Sequence, residues 1–206
     1  MSQIKLKHSG GNSVIIAAPS SNPASDRTIT LPDLTADATL STIDGVSVLD
    51  TYMLNATTTF GNDTQFQMDS GFVRASTLLS TTGNIGTGVT KSGQYFSFPS
   101  TGIYQIVWRP ILAVTNGSAS RYSAARIYAT TNNSSYSQVA EGNGSSPAMN
   151  DSSFCYSAPI AKYHFDVTNT STHKVYFEYI NDQSGSIIGG STIVFTYATF
   201  IKIGET

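Results

Sequence analysis

The chain is short of cysteine, of charge and of long apolar runs, and each shortage removes a class of protein. Its 206 residues hold one cysteine, Cys155, so neither an internal disulfide framework nor a thiolate metal cluster can form. No basic neighbour stands beside Cys155 to activate its thiol, and it reads as a half-buried small residue. Charged residues make up 12% of the chain, against about 25% in an average soluble protein. The formal net charge is -2, which gives no general attraction to nucleic acid or anionic lipid. No apolar run approaches the ~20 residues of a membrane-spanning helix, and no membrane insertion is expected. Ile4-Lys5-Leu6-Lys7-His8 lacks the apolar centre of a secretory signal. The sequons at Asn55, Asn116 and Asn169 therefore read as by-products of turns rich in Asn, Ser and Thr.

Catalytic signatures are missing as well. His8, His164 and His173 fall in different elements without metal-ligand spacing, and each reads as a surface residue. No Gly-x-Ser-x-Gly elbow, His-Glu-x-x-His pair or phosphate loop occurs. Glycoside hydrolysis needs two carboxylates about 5–10 Å apart. Asp151, Asp166, Glu178 and Asp182 would supply such a pair only by coincidence of folding. The expectation is no enzyme and no cofactor. Asn150-Asp151 and Asn181-Asp182 offer loop oxygens to calcium, but the same residues form turns, so calcium remains an unsupported option.

What is present is aromatic and alternating. Eleven Tyr and ten Phe suit many short strands better than helices. The stretch from Gly93 to Val114 reads as strand, turn, long strand: Tyr95 to Phe98, then Pro99-Ser100-Thr101-Gly102, then Ile103 onward. One parity of the long strand is apolar throughout, with Tyr104, Ile106, Trp108, Leu112 and Val114. The other carries Ile103, Val107 and Ile111 between Gln105 and Arg109, so both faces look at least partly covered. From Asn62 onward, turn signals recur at Asp69-Ser70-Gly71, Thr82-Gly83-Asn84, Gly86-Thr87-Gly88 and Ser92-Gly93. Short strands with turns at this spacing predict a sandwich or barrel. After Asn116-Gly117, strands are expected within 122–130, 154–158, 162–167, 174–179 and 192–203, with polar loops at 132–135 and 141–147. The last strand puts Ile193, Phe195, Tyr197, Ile201 and Ile203 on one face and Val194, Ala198 and Phe200 on the other.

The run from Gln94 to Ile106, with its aromatic strand, Pro-x-x-Gly turn and Tyr-x-hydrophobic strand, resembles the middle of C1q/TNF-like jelly-roll domains. Ser191 through Ile203 is similar to their last strand. The resemblance covers about the last two-thirds of the chain. It implies an all-β fold, an antiparallel jelly-roll β-sandwich, and a homotrimer packed sheet-edge to sheet-face around a three-fold axis.

Residues 1–45 differ. Ile4, Leu6 and His8 alternate with Lys5 and Lys7; Gly10-Gly11-Asn12 turns the chain into Val14 to Ala18. Pro19 to Ser25 is linker-like, and short strands are expected at 26–33 and 38–43. A segment of roughly 40 residues with so few strands builds no core of its own and needs support from sister chains or a larger particle. Its run Ile4 to Asn12, followed by Ala17 to Asp33 with Arg27-Thr28-Ile29-Thr30-Leu31-Pro32-Asp33, resembles a module of bacteriophage tail-fibre and appendage proteins, notably of phages of marine bacteria. That resemblance implies attachment of the N-terminus to other virion proteins and a place on the particle exterior. Residues 46–61 are expected as a neck or linker: Val46, Leu49, Tyr52 and Met53 sit at helical spacing, Thr57 to Phe60 favours extended chain, and an opening strand stays open as an alternative. The head then spans 62–206.

Two strands greasy on both faces exceed what a two-layer sandwich hides, and an open apolar patch invites aggregation. A homotrimer is the expected cover, with Val194, Ala198 and Phe200 as interface candidates. The expected function is a structural virion protein whose head touches a host-surface glycan or protein. The contact loops near 115–120, 131–136, 141–153 and 182–190 carry Asn116, Asn133, Tyr136, Asn143, Asn150 and Asp182. The alternatives are a decoration, cement or joining protein, which the modest length favours, and a free lectin-like module, which the missing secretion signal disfavours.

Overall fold

The computed structural model describes residues 3–7, 10, 13–17, 46–114, 119–148 and 153–206. The chain divides into two units, 1–43 and 44–206. In the first, β1 (Gln3–Lys7) and β2 (Ser13–Ala17) pair antiparallel, with Gln3 opposite Ala17 and Lys7 opposite Ser13. The strands expected at 26–33 and 38–43 lie outside the described residues.

The second unit opens with β3 (Leu49–Leu54) and β4 (Thr58–Phe60), so of the two readings of 46–61, neck or opening strand, the structure has the strand. There follow β5 (Phe66–Gln67), β6 (Phe72–Arg74), a single helical turn α1 (Ala75–Leu78), β7 (Thr90–Ser92) and β8 (Tyr95–Ser97). Then come β9 (Gly102–Arg109), β10 (Leu112–Val114), β11 (Ser120–Thr130), β12 (Ser137–Ser146), β13 (Cys155–Ser157) and β14 (Ala161–Val167). The chain ends with β15 (Lys174–Asn181), β16 (Gly185–Ile187) and β17 (Tyr197–Gly204). A five-stranded sheet has the order β14-β9-β17-β3-β6, and a four-stranded one the order β13-β10-β16-β4. A six-stranded sheet runs β12-β11-β15-β8-β7, with β5 also on β15. All pairings are antiparallel. The fold class is therefore the all-β, antiparallel sandwich read from the sequence.

The four-stranded sheet prolongs the five-stranded one. β9 becomes β10 across Pro110, and β13 becomes β14 across Pro159, because proline donates no ladder hydrogen bond. The break is bridged from the 188–196 connection. Thr196 accepts the Ile111 N–H on its hydroxyl (2.9 Å) and the Leu54 N–H on its carbonyl (3.0 Å). Ile188 N–H donates to the Ile111 carbonyl at 2.8 Å.

The core lies between the sheets and is mostly aromatic. Trp108 of β9 stacks on Phe177 of β15 with centroids 5.3 Å apart, and Phe96 of β8 meets Phe200 of β17 at 5.2 Å. Tyr104, Ile106 and Trp108 are fully buried, as their alternation requires. Trp108 satisfies its indole N–H on the Glu178 carbonyl at 2.8 Å. At one margin, fully buried Asp50 accepts from Arg74 Nε and from the Val89 N–H (2.9 Å), which ties the segment after α1 to β3.

Two of the three interface candidates are core residues. Ala198 stands directly opposite Trp108, and Phe200 opposite Ile106, in the β17–β9 ladder. Opposite residues in an antiparallel pair share a face, so Ala198 and Phe200 point inward with Trp108 and Ile106; both are fully buried within one chain. The outward parity of β17 is Tyr197, Thr199, Ile201 and Ile203. Val194 lies half-buried in the 188–196 connection, outside the named strands.

Candidate functional site

Two outward faces of the sandwich bear on function. On the five-stranded sheet, the pleat that buries Tyr104, Ile106 and Trp108 sends Ile103, Gln105, Val107 and Arg109 outward. Rows form across the strands. Val107, Thr199 and Thr51 stand in line, and so do Gln105, Ile201 and Leu49. Ile103, Val107, Tyr197 and Ile201 are half-buried, and Ile203 is 54% exposed. The edge strand β14 adds the exposed Lys162, His164 and Asp166 beside Val107, Gln105 and Ile103. The centre of this face thus mixes aliphatic side chains with Thr51, Thr199 and Gln105, and its margin is charged. Arg109 holds its guanidinium 5.8 Å from the Tyr197 ring centroid and donates to the Phe195 carbonyl at 3.3 Å. On the β10 side, Phe154 and Tyr156 are 50% and 59% exposed, with their rings in contact.

The six-stranded sheet turns a different chemistry to solvent. Arg126 opposes Glu178, and Tyr128 opposes Tyr176, between β11 and β15. Tyr128 and Tyr176 stack with centroids 4.8 Å apart and planes 4° from parallel. Tyr136, from the β11–β12 connection, stacks on Tyr95 at 5.0 Å and touches Tyr176 at 5.2 Å. Arg126 donates from Nε to Glu141 Oε2 at 2.7 Å and from an Nη to the Tyr122 hydroxyl at 2.9 Å. Burial works against ionisation of the Glu141 carboxyl, but the hydrogen bonds from Arg126 and Tyr122 outweigh it and hold it below its ordinary value. Burial, then the negative charge of Glu178, pushes the Tyr176 hydroxyl up to about 12.

The contact residues read from the sequence are dispersed. Asn116 and Asn150 lie outside the described residues. Asn133 is exposed and left-handed (φ 59°) in the β11–β12 turn, beside Asn132, whose side chain accepts the Ser134 and Ser135 N–H groups. Tyr136 ends that turn in the tyrosine stack. Asn143 is exposed but sits in β12, so 141–146 is strand and not loop. Asp182 is 7% exposed and structural. It accepts from Arg121 Nε at 3.0 Å, and the Ser120 hydroxyl lies 2.9 Å from its other oxygen. The expected surface position of His173 is also corrected: it is 6% exposed and stacks on Phe165, with Thr168 and Thr172 hydroxyls at its ring nitrogens. His164 is exposed and its ring nitrogen lies 3.2 Å from Gln105 Nε2. Sequence reasoning missed Tyr95, Tyr128, Tyr176 and Glu178 as a group; only the pairing of β8, β11 and β15 brings them together.

Sheet order, pairing and the aromatic core define an antiparallel jelly-roll sandwich of the TNF type. Solved structures show the same fold. The chain is similar to murine APRIL, crystallised at pH 5.0, with a TM-score of 0.50 and 9% identity over 76% of this chain and 98% of that one. It is similar to Eiger TNF from S. frugiperda, with a TM-score of 0.51 and 8% identity over 77% of this chain and 94% of that one. At such identities the likeness is one of fold. No family model matches the chain, and no curated protein does.

Proposed function

We propose that the chain is a non-enzymatic structural protein of a tailed bacteriophage. In this reading it is a homotrimeric appendage, attached to the particle through residues 1–45, whose jelly-roll head touches the host surface. The observation that carries the assembly is the outward face of the five-stranded sheet, where on a lone chain Ile103, Val107 and Ile201 are only half-buried and Ile203 is exposed. A largely uncharged centre with a charged margin suits burial between subunits, and the TNF-type folds it resembles are homotrimers. An interface of about 1,000 Å² or more is of the size stable complexes use. Attachment to the particle is supported by the resemblance at Ile4 to Asn12 and Arg27 to Asp33.

The test compares labelled protein on host cells with particles that lack it. The expected result is a protein that binds host cells and particles that stay whole but adsorb poorly. Protein that ignores host cells, with depleted particles that fall apart, would sink the recognition role in favour of cementing.

A further inference from the structure

We propose that the exposed stripe Phe154, Tyr156, Ala158 and Ile160, at the β13–β14 margin of the sandwich, is the second half of the subunit interface. It seats on the outward face of the five-stranded sheet of a second copy of this chain. The inference rests on the homotrimer reading above and adds which surface meets which.

Symmetry demands a second surface. A patch that packs against its own copy does so across a two-fold axis and is used up in a pair. A ring of three is built from head-to-tail contacts, in which each chain offers two different patches, one to each neighbour. The face that carries Val107, Tyr197 and Ile201 is one of them. The other has to lie elsewhere on the same chain.

The stripe has the pattern of such a patch. Cys155, Ser157 and Pro159 are buried, while Phe154, Tyr156, Ala158 and Ile160 between and beside them are exposed. Ser157 stands opposite core Leu112 and shares a 2.6 Å hydrogen bond with the Ser123 hydroxyl, so Tyr156, opposite Ala113, is turned outward. Every outward position from Phe154 to Ile160 is uncharged. Past Ala161 the same margin changes its chemistry, and Lys162, His164 and Asp166 stand exposed, as on a sheet edge kept in water. β13 and β14 are both edge strands, so edge position alone does not account for the change. The Phe154 and Tyr156 rings touch, and uncharged aromatic anchors are what the centre of an interface carries. Their support is rigid: Pro159 fixes the backbone, and Gly142 and Gly144 let β12 press close to the Ile160 carbonyl and the Ser157 hydroxyl. A ridge formed in advance loses little freedom on docking.

The surface that receives the ridge follows from charge. The tyrosine side carries Arg126, Glu141 and Lys174, and an uncharged ridge laid over them would take their charges out of water. The centre of the five-stranded face presents Val107, Thr199 and Ile201, and Arg109 is already held against the Tyr197 ring and the Phe195 carbonyl. The rival for the ridge is the opposite margin, where Val46, Leu78 and Ile85 are exposed. They are less exposed than Phe154 and Tyr156 and bring no aromatic ring.

The test uses the full chain and reads mass in solution, with melting temperature as the control for folding. An edge variant, Phe154→Asp with Tyr156→Asp, should fall to single chains at concentrations about a hundredfold above those at which the unaltered trimer persists, because it buries unpaired charge. Ile85→Asp, on the rival margin, should stay a trimer. The edge variant is then mixed with a face variant, Val107→Asp with Ile201→Asp, and cross-linked. Pairs that hold one chain of each kind, and no pairs of either kind with itself, support the head-to-tail contact. An edge variant that remains a trimer overturns the proposal, whether or not it still binds host cells. So does a trimer that Ile85→Asp breaks in its place, or cross-linked pairs of the edge variant with itself. Should the edge variant misfold, Tyr156→Ser replaces it, with an expected loss of about tenfold. Unaltered protein that is a single chain overturns the homotrimer reading and this contact together; a trimer indifferent to the edge variant overturns this contact alone.

Discussion

Along β9 and β17 the outward positions hold Ile103, Val107, Ile201 and Ile203; along β11 and β15 they hold Arg126, Tyr128, Tyr176 and Glu178. The two sheets share one core, so packing inside the chain does not explain why their outer sides differ. The aliphatic residues of the first side gain by leaving water, and the polar ones among them are tied locally, Thr51 to Thr199 and Gln105 to His164. The tyrosine side pairs Arg126 with Glu141 and holds Tyr95, Tyr128 and Tyr136 half-buried, and stays stable while wet. The first face gains by being covered; the second has less to gain.

The largest expected effect tests which residues belong to the core. Phe200→Ala removes a ring packed against Phe96, Phe98 and Phe177 and should lose about 3–5 kcal/mol in chemical denaturation. An Ile201→Ala change of the outward neighbour should cost the single chain far less. Equal losses would erase the distinction between the faces of β17.

Next comes the contrast in assembly. Val107→Asp with Ile201→Asp places charges on the aliphatic face and should split the oligomer, read by light scattering, because an unpaired charge is not tolerated in an interface. Tyr128→Asp on the other face should leave the mass unchanged.

The tyrosine side should also show in alkaline unfolding. Unfolded tyrosines lose their protons near 10, whereas folded Tyr176 keeps its own to about 12. Across that window the unfolded state binds fewer protons, so stability falls as pH rises. Ultraviolet titration should find a set of late-ionising tyrosines, and Tyr176→Phe should flatten the alkaline loss. The smallest effect belongs to Glu141. Its folded carboxyl is held below the ordinary value of 4.5, so its contribution is complete above that pH and is lost as pH falls through the lower folded value. Glu141→Gln should remove this acid limb at a cost of about 0.5–1 kcal/mol near neutrality, since the pair is partly screened by solvent.

The alternation of Tyr104, Ile106 and Trp108 was legible because a run of large apolar residues at period 2 has one sensible side. On β17 both parities are apolar, and alternation cannot choose between them. The register does: Ala198 fits opposite the bulky Trp108, which turns Tyr197 and Ile201 outward. An apolar outer side to β17 was thus readable, while the residues that form it were exchanged. Glu141 to Ser146 looked like loop for its glycines and asparagine. In β12 those glycines answer a close approach instead. A Cβ on Gly142 would collide with the Ile160 carbonyl, and one on Gly144 with the Ser157 hydroxyl. Asp182 looked like an exposed turn residue, yet Ser120 and Arg121, some sixty positions earlier, draw it inward. The tyrosine stack depends on three strands remote in sequence, and no local pattern announces it.

The account rests most heavily on the aliphatic face being covered by sister chains. Light scattering of the purified full chain over a dilution series tests this directly. The prediction is a species of three 21.9 kDa chains that persists on dilution. A soluble species of one 21.9 kDa chain, with Ile203 and the half-buried Val107 and Ile201 left uncovered, would contradict it.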